Sequence, residues 1–296
     1  MGARVAFVDS EISSQPDCWR RAVEVAARSE IALPHRGHRV AAAGCGTSWF
    51  VAQAYAVLRE SAGHGETDAY PASEFPTTRR YDRVLLVSRS GTTTEILDVM
   101  RRLPAGTPVT MLTADPQSPA AARASDPIPL PFAEERSVVQ TRFPTTVLAV
   151  LRAHLGEDLR PLVADGLAAL DAELPLGKST EQVTFLGQGW TVGLAREAAL
   201  KCREAAGMWA EAYPAMEYRH GPIAVAGPNR AVWAMGELPP GLAEEITRTG
   251  ASLVPGSGRD PLAELVLVQR YAVALARQRG LDPDAPPHLT RSVVLR

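Results

Sequence analysis

Cysteine is scarce in this chain of 296 residues. Cys18, Cys45 and Cys202 lie far apart and form no C-x-x-C pair, which argues against a disulfide framework and against structural zinc. No apolar run approaches the roughly 20 residues that cross a bilayer. The start, MGARVAFVDSEISSQPD, has no positive run ahead of a long apolar core, so no secretory leader is expected. Basic blocks interleaved with aromatics are also missing and the net charge is only -2, which makes nucleic acid a poor partner. The expectation is a cytoplasmic protein with no membrane and no nucleic acid as partner. Lysine is rarer than cysteine: Lys178 and Lys201 are the only two among 31 basic residues. Arginine serves wherever a generic cation suffices, so a retained lysine hints at a need for a compact, titratable amine.

What is present points to a globular chain, because hydrophobic residues at 46% and charged residues at 22% sit near the average for such proteins. Its length leaves room for two compact domains. Short apolar or β-branched runs recur at 39–43 (RVAAA), 83–88 (RVLLVS), 108–113 (PVTMLT), 183–186 (VTFL), 230–235 (RAVWAM) and 251–255. Strands buried on both faces of a parallel sheet have this character. Amphipathic stretches at 48–59, 93–103 and 190–206 lie between them, and 261–279 reads as a long helix. Residues 137–174 are helical in pattern, with Gly156 a break. The alternation predicts an α/β, doubly wound architecture. A strand, G-C-G-T-S and a helix in the first half answer a strand, G-Q-G-W-T and a helix in the second. The expected division is 1–175, with a leading helix, and 176–296, shortened by about one strand and ending in an irregular tail.

Three groups of residues could carry chemistry. Gly44-Cys45-Gly46-Thr47-Ser48 follows a strand and opens a helix, where unpaired N–H groups and the helix dipole favour an anion. Trp49 stands where a dinucleotide fingerprint needs glycine, and an ordinary turn capped by Thr47 or Ser48 would read the same way. Ser88-Arg89-Ser90-Gly91-Thr92-Thr93 has the same context with more hydroxyls, enough to hold a phosphate without a metal. Two such turns at strand carboxyl ends shift the balance from hydroxyl-rich caps to a phosphate site. Glu197, Lys201 and Glu204 fall at i, i+4 and i+7 on one helix face. A solvated ion-pair stripe has this spacing too, as a structural histidine has the look of His220 in Arg219-His220-Gly221-Pro222. A carboxylate, an amine and a histidine in one cleft would be acid/base equipment near neutral pH.

Taken together, these residues resemble the sugar isomerase (SIS) family of phosphosugar-binding domains, in particular the double-domain isomerase half of glutamine–fructose-6-phosphate amidotransferases and their stand-alone relatives. Ser88-Arg89-Ser90-Gly91-x-Thr93 is similar to the family's S-x-S-G-x-T loop. FLGQGWTVGLAREAALKCREAAGMWAEAYPAMEYRHGP is similar to its F-L-G-R-G, E-G-A-L-K-x-K-E, A-E-A-Y and E-x-x-H-G-P blocks, and GLDPDAPPHLTRSVVLR to its closing tail. The resemblance implies two tandem flavodoxin-like parallel-sheet domains with helices on both faces. It implies a phosphorylated sugar or amino sugar as partner, a homodimer with a shared active site, and no cofactor or metal. By it, Gly46, Thr47, Ser48, Ser88, Arg89, Ser90, Gly91 and Thr93 would line the phosphate site. Glu204 would be the base moving a proton between C1 and C2, and His220, from the neighbouring subunit, would open the ring. Lys201 and Glu197 would line the same pocket, and Arg291 would stand in the tail over it.

The chain departs from the family pattern in three ways. Neither a glutaminase domain nor a nucleophilic N-terminal cysteine precedes the matching region, so glutamine-dependent synthesis by this chain alone is not expected. Arg291 replaces a lysine able to form an imine with a ketose, and arginine stays protonated. Gln188 replaces the arginine of F-L-G-R-G. The expected activity is phosphosugar isomerisation or amino-sugar-phosphate deamination. A catalytically silent phosphosugar sensor and a partner serving only in dimerisation are the alternatives.

Overall fold

The apolar runs become strands of two parallel sheets, all of them inner except the last, at 251–255, which forms an edge, one sheet after the other along the chain. The computed structural model describes residues 6–295. Its helices are α1 (Phe7–Ser13), α2 (Gln15–Arg28), α3 (Thr47–Ser61), α4 (Thr94–Arg102), α5 (Pro119–Arg123), α6 (Arg142–His154), α7 (Arg160–Asp171), α8 (Thr191–Ala206), α9 (Leu242–Arg248) and α10 (Pro261–Gln278). Five strands, β1 (Val40–Gly44), β2 (Thr67–Pro71), β3 (Arg83–Val87), β4 (Val109–Thr113) and β5 (Asp126–Pro129), form a sheet in the order β2-β1-β3-β4-β5. Four more, β6 (Gln182–Gly187), β7 (Trp209–Pro214), β8 (Arg230–Ala234) and β9 (Ser252–Val254), follow in the order β7-β6-β8-β9. All pairings are parallel. The second sheet repeats the first as far as its fourth strand, matching the flavodoxin-like order and the expected loss of one strand.

Both faces of each sheet are covered. Ala41, Ala43, Val84, Leu86, Val109 and Met111 pack on Ile96 and Val99 of α4 and Ala120 of α5. Their alternating neighbours Val40, Ala42, Leu85, Val87 and Leu112 point the other way and are equally buried. In the second sheet, Leu186 and Val232 pack on Leu242 and Ile246 of α9. On the opposite face, the Trp233 ring lies 5.9 Å from that of Tyr271 in α10 and its Nε1 donates to Glu264 at 2.8 Å. Strands β2, β5 and β7 have no apolar run to announce them. They are edge strands, half-exposed and carrying proline or acidic residues that an inner strand would not accept.

Compact packing divides the chain differently from a single cut at 175. Among the described residues, one unit, built on the first sheet, comprises 17–135, 142–159 and 290–295; the other, built on the second sheet, comprises 6–16, 136–141 and 160–289. Helix α7 therefore packs with α10 of the second-sheet unit, while the last residues of the tail belong to the first-sheet unit. No helix among the described residues is long and apolar enough to cross a membrane.

Candidate active site

Each sheet ends its first strand on a glycine that a side chain would not replace. A Cβ on Gly44 would lie 2.5 Å from the Ser48 carbonyl carbon, and one on Gly187 would lie 2.4 Å from the Thr191 carbonyl oxygen. The following helix thus presses directly on the strand end and brings its N-terminus to the sheet's carboxyl edge. Thr47 and Ser48 open α3 and are buried, but the capping position is Gly46, and no side chain caps the helix. Cys45 stands in this turn. Its burial and the nearby Glu95 carboxylate push the thiol up to about 11.

The hydroxyl-rich loop after β3 is tightly built. Ser88 Oγ accepts from the Gly91 amide at 3.2 Å and lies 3.3 Å from Thr93 Oγ1, while Ser90 Oγ accepts from the Thr92 amide and hydroxyl at 3.2 and 2.9 Å. Gly91 has φ +59, and a Cβ there would meet Ser118 Oγ at 2.2 Å, so only glycine fits. Thr93 stands at the N-cap of α4 and makes no side-chain cap. The hydroxyls of this loop are thus not spent on capping the helix.

Arg89 is 2% exposed, in contrast to its surface-like sequence context. Its carbonyl accepts from Thr113 Oγ1 at 2.9 Å, its Nη2 donates to the Arg291 carbonyl at 2.8 Å, and its Nη1 lies 4.0 Å from the fully buried Glu135 carboxylate. Glu135 Oε1 in turn accepts from the Arg142 amide at 2.8 Å. The tail closes on the same loop. Ser90 donates to Ser292 Oγ at 3.1 Å, Thr92 Oγ1 lies 3.0 Å from the same oxygen, and the Thr94 amide donates to the Val293 carbonyl at 3.2 Å. Arg291 reaches the loop through its backbone only, since its guanidinium is taken up by the Glu134 carboxylate and the Glu135 carbonyl.

In the second-sheet unit, α8 gathers the expected trio. Lys201 Nζ lies 2.5 Å from Glu204 Oε2 and 3.3 Å from Glu197 Oε1. The lysine and Glu197 side chains are 1% and 2% exposed, whereas Glu204 keeps 22% of its surface open. Burial acts to lower the Lys201 pKa, but the two carboxylates outweigh it and hold the amine above its ordinary value. This is no solvated stripe. It is a desolvated ammonium between two carboxylates, one sealed and one open. His220 is exposed just after a short 3-10 helix, with no hydrogen bond or ion pair from its ring among the described residues. Gln188, at the substituted arginine position, donates from Nε2 to the Glu237 carbonyl at 2.9 Å.

The sequence thus picked out the loop and the trio, and the structure brings each together internally. It missed Glu135 and Ser292. Ser292 adjoins Arg291, which was singled out, but Glu135 lies far along the chain from Arg89 and has no local signal.

No family model matches the chain. At 26% identity it aligns over 98% of its length with 59% of the glutamine–fructose-6-phosphate aminotransferase (isomerizing) of Zymomonas mobilis, and over 87% of its length with 50% of that of Sulfolobus acidocaldarius. The crystal structure of glucosamine-6-phosphate deaminase from Thermotoga maritima matches it with a TM-score of 0.78 and 25% identity, covering 98% of this chain and 100% of that one. The chain carries the SIS fold. The chain spans about half the length of the curated relatives it matches, between 50% and 59% of the first four. Its second sheet is one strand shorter than its first.

Proposed function

We propose that this chain is a cytoplasmic, homodimeric enzyme that binds a ketose or amino-sugar 6-phosphate and moves a proton between C1 and C2. The observation that carries this assignment is the buried Lys201 ammonium held between Glu197 and the half-open Glu204. An ion pair at 2.5 Å orients the Glu204 carboxylate, and a positioned carboxylate can act as a base on a C–H bond. Glu204 removes the proton from C2 of an open-chain aldose, leaving an enediol, and returns it to C1 as the hydroxyl proton passes between the two oxygens. With an amine at C2, the same transfer leads through an enolamine to an imine. Water then adds at C2, and ammonia leaves.

Ser88, Ser90, Thr93, Thr47 and Ser48, with the backbone of Gly46 and Gly91, take the phosphate, and Arg89 holds their loop in place from beneath. His220 of the neighbouring subunit opens the sugar ring. Arg291 forms no imine, because a guanidinium stays protonated, and its charge is already matched by Glu134. The test is a panel of hexose and hexosamine 6-phosphates in deuterated water, followed by NMR together with an ammonia assay. Deuterium at C1 or C2 is expected. Tight binding of the same sugars with no incorporation and no ammonia would make the protein a sensor and overturn the assignment.

A further inference from the structure

Four of the chain's six histidines, His35, His38, His64 and His154, gather at the amino-terminal edge of the first sheet, opposite the end where the hydroxyl-rich loop stands. They come from three separate segments: the approach to β1, the approach to β2, and the end of α6. Three of them, His35, His64 and His154, line a cavity of about 460 Å³ with Arg36. The His35 and His38 rings stack at 5.1 Å, and His154 Nε2 donates to the Pro34 carbonyl at 3.1 Å. Val23, Ala26, Ala27, Pro34 and Ala153 supply an apolar wall.

The electrostatics of this cavity are set from below. Arg59 of α3 is fully buried, and its guanidinium donates to the carbonyls of His35, His38 and Gly65 and to the Thr67 hydroxyl. No ion pair among the described residues neutralises it. Of the two acids on the lining, Glu157 accepts from Arg152 Nε at 2.8 Å, and Glu30 sits exposed at the rim, where solvent and salt screen it. Burial first, and then Arg36, Arg59 and His154, hold the His64 imidazole below its ordinary pKa. Burial also lowers His154, where Arg59 and His35 add to the effect while the Pro34 hydrogen bond and Glu30 oppose it. His38 is lowered by burial, His35, Arg83 and Arg59 against the opposing Asp82. A buried guanidinium beneath the cavity, with Arg36 on its lining, is a charge arrangement that an anion would complete.

We propose that this cavity binds a small organic oxyanion, a phosphate or a carboxylate, and that His64 and His154 take up protons from solvent as it enters. Arg36 and the imidazoles grip the charged group, and the apolar wall accepts the carbon skeleton. The site is independent of the hydroxyl-rich loop and of the assignment of an isomerase.

The test uses the full chain labelled at histidine Cε1, followed by NMR across neutral pH. Inorganic phosphate and acetate serve as separate probes, with chloride at matched ionic strength as control. Phosphate or acetate is expected to shift His35, His64 and His154 together while His220 and His288 stay in place, and to raise the midpoints of His64 and His154 by about half a unit or more. Arg36→Ala is expected to weaken binding about tenfold, as loss of a charged hydrogen-bond partner does. His64→Gln should bind with less proton uptake. In Ser90→Ala, with its altered loop, the histidine shifts should persist. Absence of shifts, equal shifts with chloride, indifference to Arg36→Ala, or loss of the shifts in Ser90→Ala would each overturn the proposal.

Discussion

The Ser90 hydroxyl donates to the hydroxyl of Ser292, 202 positions further along the chain, at 3.1 Å. The tail is thereby built into the hydroxyl-rich loop of the first-sheet unit, and the Val293 carbonyl takes the Thr94 amide at the start of α4 as well. A phosphate entering the loop would use the same donors, so loop and tail act as one assembly.

Ser90→Ala removes the oxygen around which the loop closes. We expect KM for a phosphorylated sugar to rise about tenfold, the worth of one hydrogen bond to a charged group, with a much smaller change for the unphosphorylated sugar. Steady-state kinetics with both forms decides the matter. Equal effects on the two would remove the loop from phosphate binding.

Glu204→Gln keeps the shape of the side chain and loses the base. Solvent-proton exchange at C1 or C2 is expected to fall by roughly a hundredfold or more while sugar phosphate binding survives. If His220 acts on the neighbouring subunit's substrate, hybrid dimers of Glu204→Gln and His220→Ala should regain part of the activity. Mixed dimers that exchange subunits yet stay inactive would place the two residues on one chain's reaction.

Lys201→Met leaves the sealed Glu197 carboxylate without its cation. Breaking a buried ion pair from one side costs about 3–5 kcal/mol, so the urea midpoint should fall well below that of the parent. Adding Glu197→Leu should restore much of the loss, because two apolar groups no longer strand a charge. A midpoint unmoved by Lys201→Met would mean that the amine contributes nothing to the fold.

Alkaline pH should destabilise the protein through its buried thiols. Cys45 is pushed up from 9.0 to about 11 and Cys202 from 9.0 to about 12, chiefly by burial. Between the ordinary and the raised values the folded thiols keep protons that the unfolded chain has lost, so stability falls as pH rises through that window. Lys201 acts in the same direction: its raised pKa means that its contribution is complete below 10.5 and disappears as pH climbs through the folded value. Thermal melts should therefore slope downward with pH beyond 9.0. A rise in melting temperature across this window would contradict the burial of these groups.

Gly187→Ala sets a methyl 2.4 Å from the Thr191 carbonyl oxygen, where only backbone movement can relieve it. A loss of about 1–3 kcal/mol is expected, the usual cost of overpacking. Gly177→Ala, with nothing within 4 Å of the added carbon, is the control and should be neutral or slightly stabilising. Chemical denaturation of the two variants side by side checks the difference.

The sequence by itself determined the features that depend on near neighbours. Apolar runs marked every inner strand and the edge strand β9, because a strand covered on both faces must be apolar along its length. The spacing of Glu197, Lys201 and Glu204 placed them on one helical face, because the helix repeat is fixed. The glycines and hydroxyls after β1 and β3 marked helix starts at a sheet edge, because few residues tolerate so tight a turn. Only the tertiary structure decided which polar edge segments complete the sheets, that Glu135 lies beneath Arg89, that Ser292 closes on Ser90, and that four distant histidines share one corner. Those pairings join segments far apart in the chain, and long-range contact is set by how whole elements pack, which no local period records.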